Sequence, residues 1–403
     1  MLFYKYQKTG NLDFSILRRG EVYFASAGEL NDANECRPRF ILKGSEELWQ
    51  RLVQFILEHA CFGSDYFQLD KKDEIRQILD LSDTIGRLLK KQAKNKDFGI
   101  ESLGLAFRNA LKSYGSEKLS PFLLRMTERL TSNFIQEGLP QILLDEKYIA
   151  SFTLSATNPT MWGHYADAER GFVRVFGTDN GKLQVLSDIN ILHGTRPKKM
   201  ADGFTDVTEI GIYKDESLEL KRVQYGKEIP KVNAFHRLIH KFSYTEKEDH
   251  YDVPLNLGGD AEQKKDHLIG LVKYSGWRYE KEVRAFFPAY DLLLPDVRTL
   301  RIGIENIKGL VFGPKMSLEN RARAVLSCHL MKQSRLSETG AEYEFAFFEA
   351  QQAVDKFDFA IRPVGILSGQ YFGHHLPLKP IPELDKAAIA KLDAIAEQIS
   401  GRK

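Results

Sequence analysis

The feature of this sequence that most limits its fold is a change of hydrophobic period along the chain. From about residue 46 to residue 147, apolar residues recur at the three- and four-residue spacing of amphipathic helices, as in EELWQRLVQFILEHA and SPFLLRMTERLTSNFIQ. On both sides of this stretch, short runs rich in aromatic and β-branched residues are typical of strands. The pattern predicts an α+β fold in which a helical insertion interrupts the core.

The predicted core is a mixed, twisted sheet built from residues 1–45 and 148–363, with the helical insertion at 46–147. Its first strands are LFYKY and EVYFAS, joined by a short helix with Asn11 as its N-cap and Gly20 just past its end. Later strands include YIASFTL, GFVRVF and IKGLVF. Residues 364–403 are predicted to form a loop and an amphipathic helix, which we expect to pack on the body of the protein or on a protein partner.

Composition is typical of an ordinary globular protein. Lys and Arg number 57 and Asp and Glu 55, so the net charge of +2 argues against a protein that coats nucleic acid through its overall field. Three widely separated cysteines fit a reducing compartment. No apolar run is long enough to cross a membrane, and the lysines in MLFYKYQKTGN do not suit a signal peptide. We therefore expect a cytoplasmic protein without membrane contact.

A local basic patch leaves nucleic acid open as a partner. Five basic residues lie at the end of a predicted helix, namely Arg87, Lys90, Lys91, Lys94 and Lys96. Such a run is usually a solvated helix face, and contact with nucleic acid is the alternative interpretation.

The segment Tyr279–Phe287 carries the most informative charges. If it is a strand, Glu280, Glu282 and Arg284 share one face, because side chains alternate along a strand. One interpretation is a site in which a glutamate holds a ribose hydroxyl or acts as a base while Arg284 grips phosphate. The other is a half-exposed strand face with cross-strand ion pairs.

Two further segments offer candidate side chains. In MWGHYADAE, a helix would place His164 beside Asp167, which suits ligand binding or proton transfer, and Trp162 and Tyr165 could stack on a ring; all of them could instead be structural. The turn LNDANE places Asp32 and Glu35 just after a strand, where α/β proteins hold functional groups, although Asx-turn chemistry explains Asp32 equally well.

Several common motifs are missing from the sequence. It has no GxxxxGK[ST] phosphate loop, no GxGxxG and no GxSxG elbow, which argues against the commonest nucleotide-hydrolysing, dinucleotide-binding and serine-hydrolase classes. Its His and Cys residues do not stand at the spacing of a zinc site, so we expect no structural metal.

Blocks of this sequence, in their order, resemble the bacterial domain of unknown function 2971 family. The blocks are YKY, LRRGEVYFAS, LND with Glu35-Cys36, Ser151-Phe152, MWGHYAD leading to Gly171-Phe172, WRYEKEVR, and Gly313-Pro314 after a buried strand. The family pattern Asn-Asp-Pro-Phe-Glu is here Asn-Asp-Ala-Asn-Glu, without the proline and the aromatic residue. The resemblance implies that the polar residues of these blocks share a pocket, namely His164, Tyr165, Asp167, Glu280, Glu282 and Arg284.

The order of elements is also similar, more loosely, to that of ADP-ribosyltransferases. Those enzymes hold NAD in a split sheet with an early Tyr or His, an aromatic residue on a middle helix and a Glu on a late strand. Here Tyr6, Tyr165 and Glu282 would take those places, and Glu280-Lys281-Glu282 looks like the Glu-x-Glu of some members. The similarity implies a carboxylate that stabilises the oxocarbenium-like centre formed as nicotinamide leaves.

These observations lead us to expect an NAD-using, ADP-ribosyltransferase-like effector in bacterial antiphage defence or a toxin setting. Glu282 would be the catalytic carboxylate, Glu280 would orient the acceptor, and His164 would be positioned by Asp167. Arg284 would contact phosphate, and Tyr6, Trp162 and Tyr165 would contact the ligand.

Two alternatives remain open. One is a non-catalytic module that senses a nucleotide or a phage component through the same pocket. The other is a nuclease-like effector with Asp32, Glu280 and Glu282 around Mg²⁺.

Overall fold

A computed structural model describes most of the chain as two compact units. The described residues are 1–62, 80–93, 97–144, 147–186, 190–192, 210–212, 217–238, 268–287, 295, 298–340, 344–367 and 376–401. The first unit, here called the sheet unit, comprises residues 1–35, 146–227 and 270–403. The second, here called the helical unit, comprises residues 36–145 and 228–269.

The elements have the following bounds in chain order. The strands are β1 (Leu2–Gln7), β2 (Glu21–Tyr23), β3 (Ala25–Ser26), β4 (Arg39–Ile41), β5 (Tyr148–Thr153), β6 (Phe172–Gly177), β7 (Lys182–Leu186), β8 (Asn190–Leu192), β9 (Ile210–Ile212), β10 (Ser217–Glu219), β11 (Lys221–Arg222), β12 (Gln224–Gly226), β13 (Lys231–Asn233), β14 (Val272–Tyr274), β15 (Glu282–Phe286), β16 (Thr299–Ile302), β17 (Ile307–Phe312), β18 (Ala346–Gln352), β19 (Phe359–Leu367) and β20 (Leu378–Pro380). The α-helices are Asn11–Arg19, Glu46–Phe62, Ser82–Gln92, Ile100–Lys118, Pro121–Asn133, Leu139–Leu143, Pro159–Tyr165, Ala234–Leu238, Leu318–Thr339 and Lys386–Ile399.

The largest sheet of the sheet unit is mixed. Its strand order is β11-β15-β5-β1-β6-β17-β18-β19-β20, and β3 also pairs with β5. The pair β17–β18 is parallel, whereas β1 runs antiparallel to both of its neighbours. A smaller sheet has the order β10-β7-β16-β2. The fold class is α+β with a mixed sheet, as the sequence pattern predicted.

The large sheet opens between two of its central strands. β1 pairs with β6 along its whole length from Leu2 to Gln7, but it shares only the pair Tyr4–Thr153 with β5. β5 instead runs alongside β15 from Ile149 to Thr153. A gap therefore lies between β1 and β5 on one side of their single contact.

Both faces of this sheet are covered by apolar side chains. Because successive side chains of a strand point to opposite faces, Phe3 joins one apolar cluster and Tyr4 joins the other. Phe3 stacks on Phe176 with ring centroids 5.5 Å apart. On the opposite face, the fully buried Trp162 contacts the Tyr6 ring edge to face.

The helix Asn11–Arg19 follows the expected boundaries with one change. Gly10 is its N-cap, rather than Asn11, and the backbone N–H of Gly10 donates to the Asp13 carboxylate at 3.3 Å. Gly20 ends the helix in the left-handed conformation with φ of 64°. Glycine adopts this conformation at no steric cost, which explains why the helix stops there.

The C-terminal helix Lys386–Ile399 packs on the sheet unit itself. Leu392, Ala396 and Ile399 are buried in the same apolar cluster as Tyr4 and Phe348. The Asp385 side chain caps the helix by accepting the N–H of Ala388 at 2.8 Å. Strand β19 crosses the predicted boundary at residue 364, so the tail and the sheet form one unit.

The helical unit contains the amphipathic helices that the sequence predicted, together with a later segment. Its core includes Trp49, whose ring meets Phe235 edge to face. Strand β4 pairs in parallel with β13 of the same unit, so this unit begins at residue 36 rather than 46 and takes in residues 228–269. The prediction assigned residues 1–45 to the sheet core. It did not foresee the pairing of β4 with β13, because β13 is distant in sequence.

The predicted basic patch lies partly in the helical unit. Lys90 donates from its ammonium group to the carbonyl of Gly44, and Arg87 Nε donates to the carbonyl of Asp83 at 3.4 Å. Lys94 and Lys96 fall outside the described residues. None of the helices described is both long and apolar enough to span a membrane.

Candidate functional site

A cavity of about 350 Å³ occupies the gap between β1 and β5 in the sheet unit. Side chains of both strands line it, and so do residues of the helix Asn11–Arg19, of the loop before Cys36 and of β15. The polar side chains on which the site depends are Lys5, Tyr6, Glu35, Tyr165, Lys273, Glu280, Glu282 and Arg284. The cavity therefore gathers several of the residues that the sequence singled out.

The segment that carries the two glutamates is not one continuous strand. Ser275–Glu280 is a 3₁₀ helix, Lys281 has a left-handed φ of 46°, and β15 begins only at Glu282. The strand predicted over residues 279–287 is therefore wrong at its start, because residues 279–281 are not part of β15. The turn at Lys281 nevertheless brings Glu280 back to the same cluster as Glu282, because the Thr153 hydroxyl donates to the Glu280 carbonyl and holds this turn on β5.

A buried cluster of charges, here called the charge cluster, lines part of the cavity. The ammonium of Lys273, on β14, lies 2.7 Å from Glu280 Oε2, 3.2 Å from Glu282 Oε2 and 2.9 Å from Glu35 Oε1. All of these side chains are nearly inaccessible to solvent, with exposed fractions of 1–5%. Ions buried in this way are tolerated only when their partners compensate the lost hydration.

Arg284, two residues after Glu282 on β15, also belongs to this cluster. Its Nε donates to Glu282 Oε1 at 2.7 Å, its Nη2 to Glu282 Oε2 at 2.9 Å and to Glu35, and its Nη1 to the carbonyl of Gly270 at 2.7 Å. The predicted role of Arg284 as a phosphate contact does not fit this position, because the guanidinium is fully buried and its donors are engaged. Arg284 instead holds two carboxylates in place.

The surroundings of Glu280 and Glu282 shift the pKa values of these two carboxyl groups in opposite directions. Burial alone would raise the pKa of Glu282, but the charges of Arg284 and Lys273 outweigh it and hold that pKa below its ordinary value. Burial raises the pKa of Glu280 above its ordinary value, although Lys273 and Tyr165 act against this. The cluster thus combines a carboxylate that stays ionised with one that accepts a proton more readily.

Two tyrosines border the cavity beside these carboxylates. The Tyr165 hydroxyl donates to Glu280 Oε1 at 2.5 Å and accepts from Asn31 Nδ2 at 3.1 Å. The Tyr6 hydroxyl donates to the Ser155 carbonyl at 3.2 Å, and the Tyr6 ring contacts Trp162 edge to face. Trp162 itself is fully buried and its Nε1 donates to Ala156, so its expected stacking on a ligand is corrected to a core role.

His164 and Asp167 do not form the expected pair. The helix that carries His164 ends at Tyr165, and Asp167 follows in a turn in which residues 167–169 all have positive φ. The three-residue spacing therefore does not place the two side chains on one helix face. Both are exposed, and the partner of His164 Nδ1 is the Tyr279 hydroxyl at 3.2 Å.

Asp32 has a local structural role. Its Oδ1 accepts the backbone N–H of Asn34 at 2.9 Å, which is Asx-turn chemistry. Glu35, from the same turn, is the carboxylate that reaches the buried cluster. The hypothesis of Mg²⁺ among Asp32, Glu280 and Glu282 is not consistent with these positions, since the Lys273 ammonium lies between the glutamates where that ion would have to bind.

Sequence reasoning overlooked Lys5, Asn31 and Lys273. Lys273 stands alone in the apolar run LIGLVKY, and a single charge inside an apolar run is the signal that could have revealed it. Lys5 gives the same signal, because it is the one charged residue of LFYKY. Glu280 and Glu282 follow Lys273 closely in sequence, but its partner Glu35 and the Ser151 partner of Lys5 are distant, and no local pattern identifies these two.

Comparison with known proteins gives one match. No curated protein and no solved structure matches the chain. The model of one family, described as "Protein of unknown function (DUF2971)", matches residues 161–285. This segment supplies Tyr165, Lys273, Glu280, Glu282 and Arg284 to the cavity, so the part of the chain that is similar to the DUF2971 family is the part that carries most of the charge cluster.

Proposed function

We propose that this chain is an enzyme that binds a nucleotide-type small molecule in the cavity and cleaves its N-glycosidic bond, as NAD-using ADP-ribosyltransferases and NAD glycohydrolases do. The observation that carries the proposal is the pair Glu280 and Glu282, whose pKa values are shifted in opposite directions in the lining of an open cavity. Pairs of carboxyl groups with divergent pKa values are typical of acid–base and charge-stabilising chemistry.

The geometry suits a division of roles between the two glutamates. When the bond between nicotinamide and ribose C1′ breaks, the nicotinamide leaves with the bonding electrons and positive charge develops on the sugar. Glu282, held ionised by Arg284, would stabilise that charge. A water or an acceptor hydroxyl would then form the new bond to C1′, and its proton would pass to Glu280.

Tyr165 supports this arrangement as a positioning residue. Its hydroxyl holds Glu280 Oε1, and Lys273 holds the other oxygen, so the glutamate has one orientation. Tyr6 offers an aromatic surface on the other side of the gap, where a planar base could pack.

The test is release of nicotinamide from NAD by the purified full chain. We expect Glu282→Gln and Glu280→Gln each to lower the rate about 100-fold or more, the usual loss for such groups. Glu349→Gln is the matched control, because Glu349 is a partly buried, salt-bridged glutamate of β18 that does not line the cavity. An intact fold in each variant is verified by circular dichroism. Absence of nicotinamide release by the unmodified protein would refute the proposal.

One observation favours a second candidate, a module that binds a nucleotide without turnover. Both carboxylate oxygens of Glu282 are engaged by Arg284 and Lys273, as they would be in a purely structural cluster. In that case NAD or a related nucleotide would raise the melting temperature without being consumed. Binding would then tolerate Glu282→Gln but not Arg284→Ala, because loss of the guanidinium leaves the buried carboxylates of Glu35 and Glu282 without their partner and disturbs the cavity.

A further inference from the structure

The basic side chains that line the cavity differ in how far their charge is compensated. Lys273 and Arg284 are both surrounded by the carboxylates of the charge cluster. Lys5, on β1, instead donates from Nζ to a neutral group, the Ser151 carbonyl, at 3.0 Å. An ammonium has three N–H donors, so this single bond leaves Lys5 able to bind an anion in the cavity.

A second positive charge lies next to Lys5. Arg174, its cross-strand partner on β6, is fully buried, and its Nη1 donates to the carbonyl of Glu21. Its Nε and Nη2 have no hydrogen-bond partner within the described part of the chain. Buried guanidinium groups normally have their donors satisfied and their charge paired, so Arg174 places beside Lys5 a positive charge that no ion pair within the described residues compensates.

The acidic residues near Lys5 are hydrogen bonded to other groups. Glu282 attracts Lys5 more strongly than Asp13 does, and its carboxylate is held by Arg284 and Lys273. Asp13 faces Lys5 from the helix Asn11–Arg19, and its Oδ2 accepts the N–H of Gly10. Glu29 also lines the cavity, and its carboxylate binds Tyr23, Ser26 and Arg298. None of these carboxylates is hydrogen bonded to Lys5 among the residues described.

The charge cluster has the reverse balance. There the three carboxylates of Glu35, Glu280 and Glu282 meet the two cations Lys273 and Arg284. An anionic group would be repelled by the carboxylates of the cluster and attracted by the ammonium of Lys5, whereas hydroxyl groups of a sugar can donate to carboxylates.

From this polarity we propose that Lys5 binds the phosphate of the ligand, with Arg174 adding attraction from the neighbouring strand, and that the ligand's sugar faces Glu280 and Glu282. The assignment of a phosphate ester of a nucleoside as the ligand class rests on the proposed function; the anion site at Lys5 does not. Sequence analysis placed the phosphate contact at Arg284. The geometry favours Lys5 on β1 instead.

Calorimetric titration of the full chain with adenosine, AMP and inorganic pyrophosphate tests this inference. We expect AMP to bind about tenfold or more tightly than adenosine, because a charge-assisted hydrogen bond contributes that much. Lys5→Met keeps the aliphatic stem and removes the charge, so it should abolish the preference for AMP and the binding of pyrophosphate. Lys308→Met, at an exposed lysine of β17 outside the cavity, should change neither.

The outcomes separate the two proposals. An undiminished preference for AMP in a folded Lys5→Met protein would overturn the assignment of Lys5 while leaving nucleotide binding intact. Binding of pyrophosphate that depends on Lys5, without any binding of nucleosides or nucleotides, would support the anion site and refute the nucleotide class. Absence of binding by all three probes would refute both. If Lys5→Met fails to fold, Lys5→Arg serves in its place and should retain the preference for AMP.

Discussion

Lys273 is the single residue on which the charge cluster most depends. Burial alone would lower the pKa of this lysine, but Glu282 and Glu35 more than compensate and raise it above its ordinary value. Its ammonium therefore remains charged throughout the physiological range and separates three carboxylates that would otherwise repel one another.

Replacing this lysine should be costly. We expect Lys273→Met to lower the free energy of unfolding by about 3–5 kcal/mol at neutral pH, the usual result of removing one partner from a buried ion pair. The loss should shrink at acidic pH, because protonation of the unpaired carboxylates removes their repulsion. Urea denaturation at pH 7 and pH 5 measures both effects.

An exposed ion pair of the same unit provides the control. Lys315 lies 2.9 Å from Glu169, but its side chain is 61% exposed. Lys315→Met should therefore cost less than about 1 kcal/mol. Equal losses for the two lysines would contradict the importance that we assign to Lys273.

Lys5 gives the site a dependence on pH. Burial and the adjacent Arg174 lower the pKa of Lys5 to about 8, while Glu282 and Asp13 act in the opposite direction. Lys5 is charged below this value and neutral above it, so affinity for an anion is present below pH 8 and lost as the pH rises.

AMP is a suitable probe of this dependence, because its phosphate, with a second pKa of about 6, is almost fully ionised by pH 8. Its affinity for the unmodified protein should fall by up to about tenfold per pH unit above pH 8, and calorimetry between pH 7 and pH 9.5 measures this. Adenosine affinity should stay constant over the same range. A flat AMP profile would mean that the charge on Lys5 does not take part in binding.

Among the secondary-structure elements, two helices offer a matched comparison of their endings. Both Asn11–Arg19 and Leu318–Thr339 end at a glycine in the left-handed conformation, Gly20 with φ of 64° and Gly340 with φ of 67°. A methyl group added at Gly340 would meet open space, whereas one at Gly20 would lie 3.1 Å from Met331 Sδ and 3.3 Å from Arg335.

We expect Gly340→Ala to destabilise the protein by about 1 kcal/mol, the conformational cost of a left-handed residue with a Cβ. Gly20→Ala should cost more, because the same backbone cost is joined by crowding against the helix Leu318–Thr339. Thermal or urea unfolding of the two variants measures the difference. A smaller loss for Gly20→Ala would show that Met331 moves aside freely.

For the helices and strands, the sequence predicted the type of most elements, but some of the predicted boundaries were wrong. Periodicity identified β1 and β6, whose residues alternate between two apolar clusters, and β5, in which every second residue joins one of these clusters. It could not locate the turn at Lys281, since a left-handed residue inside a charged run has no local signature. Glu280 was therefore grouped with Glu282 through an alternation that the backbone does not follow.

For the whole molecule, sequence analysis predicted an α+β core with a helical insertion, but not which distant segments meet. The charge cluster joins Glu35, in the first segment of the sheet unit, to Lys273 and Arg284 in its last segment. Only the tertiary fold brings Glu35 to these two residues, so this partnership is not visible in any window of the sequence. The same limit explains why the sequence left open whether Trp162 is a core residue or a ligand contact.

The central position of β1 has a consequence for the order of events during synthesis. Tyr4 pairs with Thr153 and with Val175, so this strand emerges from the ribosome long before either neighbour exists. At translation rates of about 5–20 residues per second, the wait lasts roughly 10–30 s. Such non-local pairing makes folding slow, and an apolar strand left unpaired for that time is a natural target for a chaperone.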